Sequence, residues 1–329
     1  MRIAARLTSF AAVGAVLVAS LAACSDPANW VHAASGHARG AGSHTAAPAD
    51  KPAAGPAQPA FQMAQESSAP TKIAASGGAL ADVSTMRLLW SRQLNTEHPI
   101  GSITKVMTAL IVLREGNLNQ QVRIPSNVLA YVAKYQAESA GLRPGDILTV
   151  RDLLEAMLLQ SGCDAAYVLA MTYGPGMNAF LAKMNATARQ LGMLHTHFTS
   201  PDGLPYPTEY STYSTPADLL TLGMAAMKLP VFRAIVAQSF FQVPKKKGLH
   251  HAYWWGNTND LIGSYPGADG IKTGYTNAAK HCLLFEAVRH GVTLIGDVLG
   301  SPVTGPDTAA RAASRLLNWG FGLPPSAHA

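Results

Sequence analysis

The chain has 329 residues, enough for one large domain or two modest ones, and 48 % of them are apolar, ample for a core. Charged residues are only 13 %, against roughly 25 % in average domains, partly because the front end is rich in alanine. The formal charge of +6 is scattered, and no basic stripe is interleaved with aromatics, which argues against a nucleic-acid partner. The one dense basic patch, Lys245-Lys246-Lys247, reads as a solvated loop, with a docking surface for an anionic envelope polymer as the sharper alternative.

In chain order, Arg2 and Arg6 precede a charge-free apolar run over 7–21 that is too short to span a bilayer, the pattern of an export signal. The run ends Leu21-Ala22-Ala23-Cys24, and small residues before a cysteine resemble the bacterial lipobox, in which the cysteine is lipidated and becomes the mature N-terminus. Residues 1–23 are therefore expected to be a lipoprotein signal peptide and Cys24 its lipidation site. The alternative is an ordinary cleavage site beside a chance cysteine. Lipidation would place the protein in the cell envelope, outside the cytoplasm, anchored to the membrane in an oxidising setting. Cys163 and Cys282 are the other cysteines, and sequence does not bring them within disulfide reach, so two separate thiols are expected.

Residues 24–76 are rich in Ala, Gly, Pro, Ser and His without a sustained apolar period, and are expected to be a disordered tether. His32, His37 and His44 fall there at loose spacing, as solvated histidines rather than a metal tract. Order is expected to begin near Gly77. Residues 79–82 and 86–91 read as a strand hairpin, and Ser102 opens a helix whose Val106, Met107, Leu110, Ile111 and Leu113 form a broad buried face before Gly116-Asn117 stop it.

A second helix starts at Thr149, with Asp152 completing a variant capping box, and breaks at Ser161-Gly162. Helices over 164–173 and 177–191 follow. Thr215-Pro216-Ala217-Asp218 caps another, with proline at its first position. After Pro230 the character changes to strands at 239–243, 270–276, 282–289 and 293–299, and a helix over 307–319 closes the chain. This order predicts an α/β (α+β) fold, an antiparallel sheet flanked by helices on both faces plus an all-helical subdomain.

Three strings carry chemistry: Ser102-Ile103-Thr104-Lys105, Ser161-Gly162-Cys163 and Lys272-Thr273-Gly274. On a helix, Ser102 and Lys105 share a face, so the amine can reach the hydroxyl. Burial among Ile103, Val106 and Met107, with a second cation nearby, favours the neutral, basic amine. Ser161, at a break between helices, can pass a proton to a leaving amine; read alone it is a helix-end cap for Asp164. Lys272 supplies field for a carboxylate, Thr273 a hydroxyl to bind it, and Gly274 lets an extended substrate lie flat. The Tyr275 and Ser102 amides can share an oxyanion hole.

The ordered trio resembles that of the penicillin-recognising serine acyltransferases, and within them the D-alanyl-D-alanine carboxypeptidases of the low-molecular-mass penicillin-binding proteins. Met184-Asn185, Leu191-Gly192-Met193, Thr196-His197-Phe198, Pro201-Asp202-Gly203-Leu204, Tyr213-Ser214-Thr215 and Asn318-Trp319-Gly320-Phe321 resemble further segments of that family. The resemblance covers about 77–322 and implies the β-lactamase/transpeptidase-like fold. It also implies a peptidoglycan stem peptide ending in D-Ala-D-Ala as substrate, β-lactams as inhibitors, and no cofactor or metal. It implies catalytic roles for Ser102, Lys105 and Ser161, and substrate contacts from Lys272, Thr273, Gly274 and Tyr275.

Two departures stand out. The family's second motif is usually Ser-x-Asn, and Cys163 holds the asparagine place; a thiol is the weaker donor and acceptor, so Cys163 is expected only to line the site. Residues 323–329 are expected to be a short tail where many relatives continue into a β-domain and amphipathic anchor, and the N-terminal lipid would then supply the anchoring.

Two other readings compete. A β-lactamase would use a Glu-x-x-Leu-Asn acid, which Glu115-Gly116-Asn117-Leu118-Asn119 matches literally. That string precedes the second motif, and Glu115 falls about 20 Å along the helix from Ser102 at ~1.5 Å per residue, so it reads as coincidence. A non-catalytic protein that binds stem peptides or penicillin is the other; intact Ser102, Lys105 and Lys272 argue against it. His195-Thr196-His197 could suggest a metal, but such a site needs a third ligand and usually a carboxylate, and the stretch resembles the family's post-helix segment, so core and surface histidines are the better reading.

Overall fold

The computed structural model describes residues 61–63, 69–70, 72–303 and 308–323. The signal-peptide, Cys24 and His32, His37 and His44 expectations lie outside these residues. The main sheet contains β1 (Gly77–Asp82), β2 (Arg87–Arg92), β3 (Ala268–Thr276), β4 (Lys280–Arg289) and β5 (Val292–Ser301). Its order is β2-β1-β5-β4-β3, all antiparallel, with the two-residue strand Gln62–Met63 added parallel outside β2.

Order reaches back into the stretch expected to be tether. Gln62–Met63 pairs with Arg87 and Leu88. Ile73 is buried, and Arg92 donates to the Ile73 and Ala75 carbonyls at 2.6 and 2.9 Å. These are the places where apolar or sheet-pairing groups interrupt the Ala/Pro composition.

Period-two alternation explains how the sheet carries a core on each side. On β4, Leu283, Phe285 and Ala287 join a cluster with α8 (Ala309–Phe321), while Cys282 and Leu284 join the larger cluster on the other face. Helix α8 buries Ala309, Ala312, Ala313, Leu316, Leu317 and Gly320, an apolar stripe at three- and four-residue spacing. The opposite face is covered by α6 (Pro216–Met227), and α1 (Lys105–Glu115) packs against α6 on the side away from the sheet. Residues 105–112 of α1 are all buried, as befits a helix packed on every side.

The helical region inserted between α1 and α6 contains α2 (Val128–Tyr135), α3 (Val150–Leu158), α4 (Cys163–Tyr173) and α5 (Met177–Gln190). The capping box is formed: the Thr149 hydroxyl accepts from the Asp152 N–H, and Asp152 accepts from the Thr149 N–H. Thr215 caps α6 by accepting from the Asp218 N–H, with Pro216 at the first turn. One helix is added and one expectation is corrected. Residues after Pro230, for which no element was expected before 239, form α7 (Pro230–Val236), because proline fits a first helical turn, and the strand expected at 239–243 follows as Phe240–Val243. Ser102 does not open an α-helix; Gly101–Thr104 is a 3₁₀ turn and α1 begins at Lys105. Among the described residues no single helix is long and apolar enough to cross a membrane.

Candidate active site

The three strings arrive at one cleft of about 590 Å³ from three elements: the 3₁₀ turn before α1, the break between α3 and α4, and the edge strand β3. Ser102, Ser161, Cys163, Thr273, Gly274 and Tyr275 all line it. The 3₁₀ turn explains the first contact. With three residues per turn, positions i and i+3 eclipse, so Lys105 Nζ comes to 2.7 Å from Ser102 Oγ. The lysine is fully buried, and its amine also donates to the Asp202 carbonyl at 2.9 Å and meets Cys163 Sγ at 3.4 Å.

Ser161 has a positive φ of 63°, and its neighbour Gly162 starts α4. A side chain held in that sparsely populated region marks a position fixed by its surroundings. The surroundings include Cys163, whose N–H donates to the Glu138 carbonyl at 2.8 Å, and Asp164, which accepts from Ser139, Ala140 and Leu142. Burial pushes the Cys163 thiol up to about 12, against the opposing pull of Lys105, so it is a neutral S–H.

Among the described residues strand β3 has a partner on one side only, and its free side borders the cleft. Gly274 is required there, because any Cβ would collide with the Ile100 carbonyl just before the 3₁₀ turn that carries Ser102. Lys272 is 1 % exposed. Burial first, and then the charge of Lys105, push its amine well below the usual lysine range. Its Nζ reaches Thr273 Oγ1 at 3.2 Å, and Thr273 Oγ1 lies 2.7 Å from Thr258 Oγ1. The arrangement is a hydroxyl beside a buried amine, with a second hydroxyl lining the same cleft and a second buried amine beside Thr273. Such a set can perform acyl transfer through a serine ester.

A family model for D-alanyl-D-alanine carboxypeptidases, peptidase S11, matches residues 63–303. The chain belongs to that family. This S11 peptidase is 40 % identical over 262 residues to the D-alanyl-D-alanine carboxypeptidase of Streptomyces sp. strain K15, covering 76 % of this chain and 88 % of the relative. It is 41 % identical over 251 residues to the carboxypeptidase DacB2 of Mycobacterium tuberculosis, covering 75 % and 82 %. The crystal structure of the Streptomyces K15 DD-transpeptidase superposes with a TM-score of 0.73 at 40 % identity, covering 78 % of this chain and 100 % of that one. Solved variants of the K15 enzyme replace a serine and a cysteine two positions apart, the spacing of Ser161 and Cys163.

The S11 peptidase is thus a serine-type hydrolase with a penicillin-binding-protein fold. Other sequence features fall outside its cleft. Glu115 pairs with Lys183 at 2.6 Å on the surface and does not line the cleft. His195 faces Glu97 at 3.8 Å, and His197 lies against the Tyr213 ring. Cys163 and Cys282 are separate buried thiols. Lys245, Lys246 and Lys247 are exposed.

Three groups near the chemistry escaped the sequence reading. The Asp202 carbonyl receives Lys105, Tyr131 donates to the Asp202 carboxylate at 2.7 Å, and Thr258 supports Thr273. Pro201-Asp202-Gly203 carries a turn signal, but nothing in it says which side chain the turn serves.

Proposed function

We propose that Ser102 is the nucleophile of a carboxypeptidase that removes the terminal D-alanine from peptidoglycan stem peptides. The observation that carries this reading is the fully buried Lys105 amine, 2.7 Å from the Oγ of Ser102, which lines the cleft. Neutral Lys105 takes the hydroxyl proton as Ser102 Oγ attacks the carbonyl between the last two D-alanines. The Ser102 and Tyr275 amides stabilise the oxyanion. Ser161 delivers a proton to the departing D-alanine, and water then hydrolyses the ester. The stem peptide adds alongside β3 as an extra strand, its terminal carboxylate held by Thr273 in the field of Lys272. Cys163 lines the pocket and contacts Lys105.

β-Lactams acylate the same serine and leave slowly. Mass spectrometry of the purified protein after incubation with benzylpenicillin is the test. A stable adduct on the Ser102 peptide supports the carboxypeptidase. Destroyed drug without an adduct would make it a β-lactamase, and intact drug without an adduct a binding protein.

A second reading has its own support, since the K15 structure carries the name DD-transpeptidase. In that reading an amine replaces water as the acyl acceptor, and added glycine or glycyl peptides would divert product from acid to amide. For the cell, the reading is a lipoprotein exported through residues 1–23, anchored through a lipid on Cys24, with a tether that lets the domain reach the wall.

A further inference from the structure

Among the described residues Lys105 Nζ has three partners, and they are unequal. Ser102 Oγ at 2.7 Å is the reacting atom itself. Cys163 Sγ at 3.4 Å is a neutral thiol, a weak hydrogen-bond partner. The remaining partner, the Asp202 carbonyl at 2.9 Å, is the one strong contact that stays in place while the proton moves. The position of the base therefore depends on how firmly residues 200–204 are held.

That loop is braced at several points. The Thr108 hydroxyl donates to the Pro201 carbonyl at 2.6 Å, and the Gly203 N–H donates to Ser200 Oγ at 2.9 Å. Gly203 has a φ of +86°, and a Cβ there would collide with the Gly101 carbonyl beside the nucleophile turn. The Asp202 carboxylate, 1 % exposed, accepts the Leu204 N–H at 3.1 Å through Oδ1 and the Tyr131 hydroxyl at 2.7 Å through Oδ2. Tyr131 is on α2, in the helical insertion, so this bond ties the insertion to the loop that touches the base. Its ring is fixed independently, stacked on Tyr167 at 4.4 Å and edge-on to Tyr135 at 5.0 Å. Burial and the Asp202 charge push the phenol far above its usual range, so it remains a donor at any working pH.

We propose that Tyr131 is a positioning residue for Lys105: by holding the Asp202 carboxylate it fixes the Asp202 carbonyl, and so the lysine amine, beside Ser102. This rests on the proposed role of Lys105 as base. It places part of the catalytic geometry in a helix that touches no reacting atom.

The test compares Tyr131→Phe, Asp202→Asn, Asp202→Ala and the double variant Tyr131→Phe/Asp202→Ala in the full chain. The readouts are the acylation rate with benzylpenicillin, its non-covalent Kd, and kcat and KM for D-alanine release. Tyr131→Phe keeps the ring stack and loses one hydrogen bond to a charged group, so the acylation rate and kcat should fall about tenfold with Kd and KM unchanged. Asp202→Asn can keep its one oxygen on the Leu204 N–H and donate its amide N–H to the phenol oxygen, a neutral bond in place of the charge-assisted one, so its rate should fall no further than that of Tyr131→Phe. The double variant should be no slower than Asp202→Ala alone, because both changes cut one chain of contacts. Wild-type rates in Tyr131→Phe, or losses that multiply in the double variant, would overturn the positioning role. If Asp202→Ala does not fold, Tyr131→Phe and Asp202→Asn decide: an asparagine variant slower than the phenylalanine one overturns it. A wild-type protein that is not acylated on Ser102 would instead sink the underlying reaction.

Discussion

The Lys105 amine stands 2.7 Å from the Ser102 hydroxyl because the turn joining them is 3₁₀, which stacks the two side chains one above the other. An α-helical start would place them about 60° apart around the axis. The contact makes a sharp prediction. Ser102→Ala abolishes both penicillin labelling and D-alanine release, and residual labelling would move the nucleophile elsewhere. Lys105→Met removes the proposed base and is expected to slow acylation by roughly 10²–10⁴-fold, the usual range for a lost general base. Intact-mass time courses read both.

Cys163 sits where the family's second motif usually has asparagine, and its thiol touches Lys105 at 3.4 Å. An amide at that position would offer the lysine a better acceptor and the substrate a donor. Cys163→Asn is therefore expected to keep acylation and to raise D-alanine release several-fold. Steady-state assays with a D-Ala-D-Ala peptide decide it; complete loss of acylation would give the thiol an essential role of its own.

The three motifs were legible because their chemistry sits on short local strings, and the capping box at Thr149 and the proline cap at Thr215 because they are local too. Helix α2 was not. It buries only Val128, so its eight residues carry no core-facing stripe, and although Asn127 is a residue type that starts helices it makes no side-chain cap. With it went Tyr131. The Asp202–Lys105 bond was also hidden, since it joins positions 97 apart in the chain through a backbone carbonyl that has no sequence signature. The sheet was read as antiparallel, but the placing of β3 at its edge depends on strand order, which periodicity does not encode.

The lipid anchor is testable apart from the catalytic site. Cys24→Ala removes the only group to which the signal sequence could attach a lipid. Fractionation should then find the protein released from the membrane with penicillin labelling unchanged. If it stays membrane-bound, the lipobox reading fails.

Asp297 offers a pH test of the core. It lies on β5, fully buried, and neither carboxylate oxygen has a hydrogen-bond partner among the described residues. Burial raises its pKa well above the usual carboxylate range. A carboxyl that stays protonated when folded but ionises near pH 4 when unfolded costs nothing below that pH. Above it the unfolded state is favoured by ~1.4 kcal/mol for each pH unit, until the folded group ionises as well. Asp297→Asn has nearly the same shape and cannot ionise. Its stability should match the wild type near pH 4 and exceed it progressively towards pH 7, as read by denaturant unfolding at both values. Equal stabilities at pH 7 would mean that the native carboxyl ionises as readily as the unfolded one, and that its burial carries no such cost.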